Sequence, residues 1–456
     1  PFLPKHVGPG PGWYGRAASN MMSEQPRGLQ DILIPPEQRL SRSNPSGNRK
    51  RRLNLCLCVT IWVTLLVVVL TFSHDGDVTH VDVGQTCDQR VRVGDLRIAV
   101  EGRHVITNTP NLGPKARFDW PCTSFSVVLS GESAKGAVVA EMDGGGSYFL
   151  VHGCGAVSTR FLTDTGLKNY TICKDAQPGA HIMVRRISEP FGSDVTELFA
   201  VLLGERVKLS TAIGRSVTRK RRIEFWGDSE TAGFGADSHA GILSDFRCLF
   251  IAKAAKRYES CEHDYSAMLT RRLDADMHLQ AWSGIGVVKN AWEYYSLKLL
   301  GTDHPMPFYL NKTLGNDPSA IWDFRRWVPD LVVVFLGSND VFGIGEVASV
   351  GTVFVPRYQN MIAALEKGYQ GHSVAVVHLC GGGADYGDSM EVCPLIKKAL
   401  EGLPSRVGLI FHHYIEMPTS LNFDGGDGCL GHRNWKGQQR IAEYLEAPIR
   451  RIMRWQ

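Results

Sequence analysis

The run Gly227-Asp228-Ser229-Glu230-Thr231-Ala232-Gly233-Phe234-Gly235 places a serine at a turn directly after the apolar segment Ile223-Glu224-Phe225-Trp226. A strand that ends in Gly-Asp-Ser and leads through small residues to a helix sets that hydroxyl at the carboxyl edge of a parallel sheet, where open α/β folds bind ligands. Such a serine is a candidate nucleophile if a base and oxyanion donors stand nearby. Three later blocks carry those chemical types. Trp282-Ser283-Gly284-Ile285-Gly286 offers a glycine with a backbone N–H, and Gly337-Ser338-Asn339-Asp340 offers an amide. Asp427-Gly428-Cys429-Leu430-Gly431-His432-Arg433-Asn434 offers an imidazole just before the last helical segment. A hydroxyl, a base and preorganised donors on one sheet edge are the requirements of acyl transfer.

The elements that must position these groups follow from periodicity. Strand candidates Ile223–Trp226, His278–Trp282, Leu331–Leu336, Val374–Leu379 and Val407–Phe411 alternate with helix-like runs at Ile242–Arg257, Ala291–Leu300, Arg357–Lys367, Met390–Leu400 and Gly437–Met453. That alternation predicts a three-layer α/β/α domain over 219–456 with a parallel sheet. The last run carries Ile441, Leu445, Ile449 and Ile452 on one face, with Pro448 as an expected kink. Residues 96–208 read differently, as short strands such as Leu96–Val100, Ser124–Leu129, Gly136–Met142 and Leu198–Leu203, broken by Gly, Asp, Asn and Pro. Many short strands with frequent turns predict a jelly-roll-like β-sandwich ahead of the α/β domain.

The four blocks in this order resemble the SGNH (GDSL-type) hydrolase superfamily. The likeness extends to carbohydrate esterase family 2 through Arg117-Phe118-Asp119-Trp120-Pro121 with Thr123-Ser124, through Arg222-Ile223-Glu224-Phe225, and through Ala281-Trp282-Ser283-Gly284 followed by Val287-Val288-Lys289-Asn290. The resemblance implies Ser229 as nucleophile, His432 as base, and an oxyanion hole from the N–H of Ser229, the N–H of Gly284 and the side chain of Asn339. Each such donor is worth about 3–4 kcal/mol in the transition state. It also implies an O-acetylated saccharide as substrate, with no metal or organic cofactor. Superfamily members commonly carry an aspartate two or three residues before the histidine; here those positions are Leu430 and Cys429. Asp427, five positions back, or a backbone carbonyl is left to orient the ring. The missing acid keeps a second reading open, a carbohydrate-binding or adhesion protein on the same fold, and a third is an O-acetyltransferase using the same serine.

At 456 residues and a net charge of +4, the chain gives no case for nucleic acid as a partner. Residues 1–52 read as a disordered cytoplasmic tail, with Met21 or Met22 as a candidate start. The apolar stretch 53–72 is long enough to cross a bilayer and follows Arg49-Lys50-Arg51-Arg52. The positive-inside rule then predicts a signal anchor with everything after a stem at 73–95 in the lumen or outside, a type II topology. Nine of the eleven cysteines lie beyond the span, where disulfides or buried thiols are expected and the odd count leaves at least one unpaired within the chain. Asn169-Tyr170-Thr171 and Asn311-Lys312-Thr313 are glycosylation sequons. Arg219-Lys220-Arg221-Arg222 reads as a solvated interdomain linker, with dibasic processing as the alternative. Trp226, Trp282 and Trp435 are candidates for stacking on a sugar ring, and His412-His413 is the chief rival to His432.

Overall fold

In a computed structural model of the chain, the described residues are 87–456 apart from 191–193, 212–220, 240–247, 249–255, 292–303, 342–345, 382–390, 405, 419–420 and 422–427. The expected tail at 1–52 and membrane anchor at 53–72 lie outside the described residues. Among the described residues no helix is long and apolar enough to cross a membrane.

Eleven strands build the first half of the described region: β1 (Cys87–Arg92), β2 (Ile98–Glu101), β3 (Val105–Thr109), β4 (Gly113–Phe118), β5 (Ser124–Val128), β6 (Gly136–Asp143), β7 (Tyr148–His152), β8 (Thr159–Leu162), β9 (Lys168–Ala176), β10 (His181–Arg186) and β11 (Thr196–Gly204). They form two antiparallel sheets, one ordered β3-β4-β11-β6-β9 with β1 also on β11, the other β2-β5-β10-β7-β8. Along β10 the residues Ile182, Val184 and Arg186 are buried while His181, Met183 and Arg185 are half-buried. That period of two is what packs one sheet face on the other. Strand β1 falls within the expected stem, where its polar Cys-Asp-Gln-Arg sequence hides a pairing with β11.

The second half is a sheet ordered β13-β12-β14-β15-β17-β16, comprising β12 (Arg221–Gly227), β13 (Ala275–Ala281), β14 (Leu331–Phe335), β15 (Val374–Gly381), β16 (Arg406–Val407) and β17 (Ile410–Met417). All neighbours pair in parallel except β16, which forms an antiparallel edge on β17. Every residue of β14 and β15 is buried. A strand covered on both faces must be apolar throughout, so these runs show no alternation. The expected last strand, Val407–Phe411, is instead a tight hairpin whose second arm runs on to Met417.

Among the described residues of this half, the helices include α1 (Ser229–Ala232), α2 (Tyr265–Arg272), α3 (Met306–Tyr309), α4 (Glu346–Gly368), α5 (Cys393–Glu401) and α6 (Trp435–Met453). Asn434 caps α6, its Oδ1 accepting the N–H groups of Lys436 and Gly437 at 3.0 and 3.3 Å. The helix continues past Pro448 and buries Ile441, Leu445 and Ile449. Most of the expected helices at Ile242–Arg257 and Ala291–Leu300 lies outside the described residues. Arg221 and Arg222, read from sequence as linker, open β12; Arg221 donates to Leu273 O at 2.7 Å and the Arg222 N–H to Asp330 at 2.8 Å.

Charged groups join the sandwich to the α/β layer. The buried Arg103 guanidinium meets Glu224 at 3.1 Å and donates to Leu310 O and Lys312 O at 2.8 Å each, while Tyr369 donates to the same carboxylate. A buried pair survives only when most of its remaining valences are filled, and here all but the Arg103 Nε find partners. Asp119 accepts the N–H groups of Gly315 and Asn316 at 2.9 and 2.7 Å. A disulfide, Cys122–Cys261, ties the two halves covalently. Three more link Cys154–Cys173, Cys248–Cys429 and Cys380–Cys393, leaving Cys87 unpaired among the described residues.

Candidate active site

Strand β12 lies between β13 and β14, so chain connectivity reverses direction at its carboxyl end and opens a crevice there. Ser229 stands in that crevice at the first position of α1. Its Oγ lies 2.8 Å from Nε2 of His432, across 203 residues of sequence. Phe234 packs edge-on against the imidazole, ring centroids 4.8 Å apart. Gly235 has φ +75°, and a Cβ there would come within 2.9 Å of the Cys429 nitrogen and 3.5 Å of His432 Cβ. Only glycine lets the nucleophile turn close on the histidine turn.

The far nitrogen of His432 answers the question left by the missing acid. Nδ1 lies 3.1 Å from Cys429 O and 3.2 Å from Leu430 O, so it carries the proton and donates to backbone carbonyls. That tautomer leaves the Nε2 lone pair facing the Ser229 hydroxyl, as a general base requires. The carbonyls are aimed inward because the chain bends through a 3-10 turn, Cys429–Gly431, in which Leu430 takes φ 51° and ψ 44°. The buried Cys248–Cys429 disulfide anchors the start of that turn. Asp427, the sequence candidate for this task, lies outside the described residues. Burial lowers the His432 pKa from its ordinary value, with the Glu230 charge and the two carbonyls opposing the shift. Glu230 itself is buried and pairs with Arg433 at 3.1 Å.

The donor side is built as tightly. Gly284 has φ +74° at the end of β13, and among the described residues neither its N–H nor that of Ser229 has a hydrogen-bond partner. Asn339 occupies a 3-10 turn, Ser338–Asp340, after β14. Its Nδ2 donates to Asp228 Oδ2 at 3.1 Å and to Ile285 O at 3.0 Å, so both amide hydrogens are engaged in this state. Asp228 also accepts from Ser338 Oγ at 2.6 Å, and burial pushes its carboxyl up to about 7 against that bond. Asp340 collects the N–H groups of Val287, Val288 and Lys289 at 2.8, 2.6 and 3.1 Å, pinning the segment after Gly284. Asp228 and Asp340 were visible in sequence only as neighbours of Ser229 and Asn339.

The other sequence candidates separate. Trp226 and Trp282 are buried, with Trp282 edge-on to Trp120 at 6.3 Å, and so cannot stack on a sugar; Trp435 is 41% exposed and can. His412 sits inside β17 in a chain of its own, 3.2 Å from His378 and 2.9 Å from Glu366. Its polar atoms are spent there, which removes it as a rival base.

The chain is similar to known carbohydrate esterases. No protein-family model matches the chain. It is 29% identical over 240 residues to the cellulase/esterase CelE of Acetivibrio thermocellus, a match that covers 52% of this chain and 26% of CelE. The chain thus spans about a quarter of that relative's length. It is 24% identical over 370 residues to an acetylxylan esterase / glucomannan deacetylase of Cellvibrio japonicus, covering 80% of this chain and 91% of the relative. A solved family 2 carbohydrate esterase from Cellvibrio japonicus superposes with a TM-score of 0.62 at 21% identity, over 80% of this chain and 98% of that one. The fold is that of the family 2 carbohydrate esterases. The likeness read from the four sequence blocks is therefore borne out, and the sandwich ahead of the α/β layer is part of this esterase fold rather than an unrelated attachment.

Proposed function

We propose that this chain is a serine esterase that removes O-acetyl groups from a saccharide through an acyl-enzyme. The observation that carries the reading is the 2.8 Å contact between Ser229 Oγ and His432 Nε2, with the His432 tautomer set by backbone carbonyls, at the sheet edge of an esterase fold. In this reading His432 takes the serine proton as Oγ attacks the acetyl carbonyl. The N–H groups of Ser229 and Gly284 receive the developing oxyanion, and His432 then protonates the departing sugar oxygen. Asn339 joins them when its amide turns from Asp228 toward the substrate. Water repeats the sequence on the acyl-enzyme. The acetylated-saccharide assignment is supported by the named activity of the Cellvibrio relative. The test is acetate release from 4-nitrophenyl acetate and acetylated xylan: Ser229→Ala is expected to abolish it, and equal release by both forms rejects the enzyme.

The engaged Asn339 amide favours a second reading, a saccharide-binding protein with little turnover. Oligosaccharide binding by calorimetry without acetate release is its signature.

We further infer a single-pass type II membrane protein, anchored at 53–72, with the esterase region lumenal or extracellular. Four disulfides between Cys122 and Cys429 support an oxidising compartment. Asn169 and Asn311 are exposed, as acceptor asparagines must be. Protection of the esterase region from protease in sealed vesicles, with a mobility shift on deglycosylation, is the expected outcome; digestion without a shift reverses the topology.

A further inference from the structure

Two buried carboxyl groups stand behind the Ser283–Gly284 turn and have no part in the chemistry above. Glu189 follows β10 in the sandwich, and Glu259 precedes the 3-10 turn Cys261–His263 of the α/β half. Neither side chain reaches solvent. Glu189 Oε2 accepts the Ser283 N–H at 2.5 Å, and Glu259 Oε1 accepts the Glu189 N–H at 2.5 Å.

The surrounding charges hold the pair without replacing this link. Arg186 donates to Ser188 O, Thr196 Oγ1 and Glu189 O, at 2.9, 3.0 and 3.1 Å. Lys256 is paired with Asp194, and Arg160 donates to Glu259 O at 3.2 Å and to Asp237 at 2.5 Å. The Asp119 charge also acts on Arg186. Burial pushes the Glu189 carboxyl up to about 7 and Glu259 well above its ordinary range, where the Glu189 charge adds to the burial.

We propose that Glu189 is the positioning residue of the oxyanion turn, reaching from the sandwich to hold Ser283 so that the Gly284 N–H points where the ester oxygen gains charge, with Glu259 fixing Glu189 in turn. The inference rests on the esterase reading. Its physical basis is that an oxyanion donor acts only when held before the charge arrives, and displacement by about 1 Å is costly. It also gives the sandwich a task in the reaction, since Glu189 carries a hydrogen bond from the sandwich side to the Gly284 block.

The test compares Glu189→Ala, Glu189→Asp and Glu189→Gln in the 456-residue chain, with kcat and KM on 4-nitrophenyl acetate at pH 6 and a thermal melt for each. Glutamine keeps both the reach and an accepting oxygen, so at least half of the wild-type kcat is expected. Alanine removes the acceptor and aspartate withdraws it, so each lowers kcat ten- to a hundredfold with KM within twofold. Equal kcat in Glu189→Ala and wild type overturns the inference alone. So does activity kept by aspartate and lost by glutamine, because charge and not the positioned acceptor is then at work. If the wild type is inert and Ser229 resists a fluorophosphonate, the esterase reading falls and this inference with it.

Discussion

The nucleophile turn and the histidine turn meet at a single 2.8 Å contact, yet they are built in opposite ways. Ser229 is held by its own neighbourhood. Asp228, one residue away, caps α1 by accepting the Glu230 N–H, and Gly233 and Gly235 supply the bends, all within nine residues of sequence. His432 is held by parts from far away. Its turn is anchored through Cys429 to Cys248, 181 residues earlier, and its ring is oriented by carbonyl dipoles where superfamily members commonly use a carboxylate. A local turn can be rebuilt by any chain that keeps its short motif. A cross-linked turn depends on the whole fold being in place. The two halves of one dyad thus differ in what breaks them.

The largest expected effect breaks both sides equally. Ser229→Ala and His432→Ala should each reduce kcat on an acetate ester by about 10⁴-fold, and the double variant should fall no further, because the two side chains act as one unit. Additive losses in steady-state kinetics contradict that coupling. A smaller effect should separate the sides. Cys248→Ser leaves every group of the dyad in place but frees the histidine turn, so kcat should drop about tenfold with KM little changed. Mild reduction of the wild type should reproduce the drop, and an unchanged kcat in both shows that the turn holds without its cross-link. The nucleophile turn contains no cysteine and has no counterpart to this sensitivity.

The mildest effect concerns pH. His432 must be neutral to accept the serine proton, and burial lowers its pKa below the ordinary 6.5. The acid limb of kcat/KM should therefore lie below pH 6.5, so activity persists on the acid side of neutrality. A carboxylate partner stabilises the protonated ring and raises that limb, whereas carbonyl dipoles do so less. An acid limb above 6.5 points to a charged group at Nδ1, with Asp427 the nearest candidate in sequence.

Much of this was legible before any coordinates. The continuous apolar run Leu331–Phe335 could only be a strand covered on both faces, and β14 is that strand. The Gly-Asp-Ser, Ser-Gly, Ser-Asn-Asp and histidine blocks each follow a strand or precede a helix, and the structure brings Ser229 and His432 into contact. What escaped was whatever depends on pairing between distant segments. Strand β1 is polar in three of its first four residues and is a strand because β11 offers it an edge. Arg103 with Glu224, and Glu189 with Ser283, are charged or polar residues that composition assigns to the surface, yet three of these four are fully buried and Ser283 nearly so. Trp226 and Trp282 were candidates for stacking on a sugar and are core, where Arg103 and Trp120 of the sandwich pack against them.

The sequence by itself determined which atoms are available for chemistry: a hydroxyl at a strand end, an imidazole before a helix, glycines where only glycine bends. Those are properties of residue type and short spacing, and no folding is needed to read them. The tertiary structure alone decided how the histidine is aimed and how the oxyanion turn is braced. Both depend on carbonyls, carboxyls and a disulfide whose partners are set by chain reversal over tens to hundreds of residues, and no local pattern encodes a direction in space.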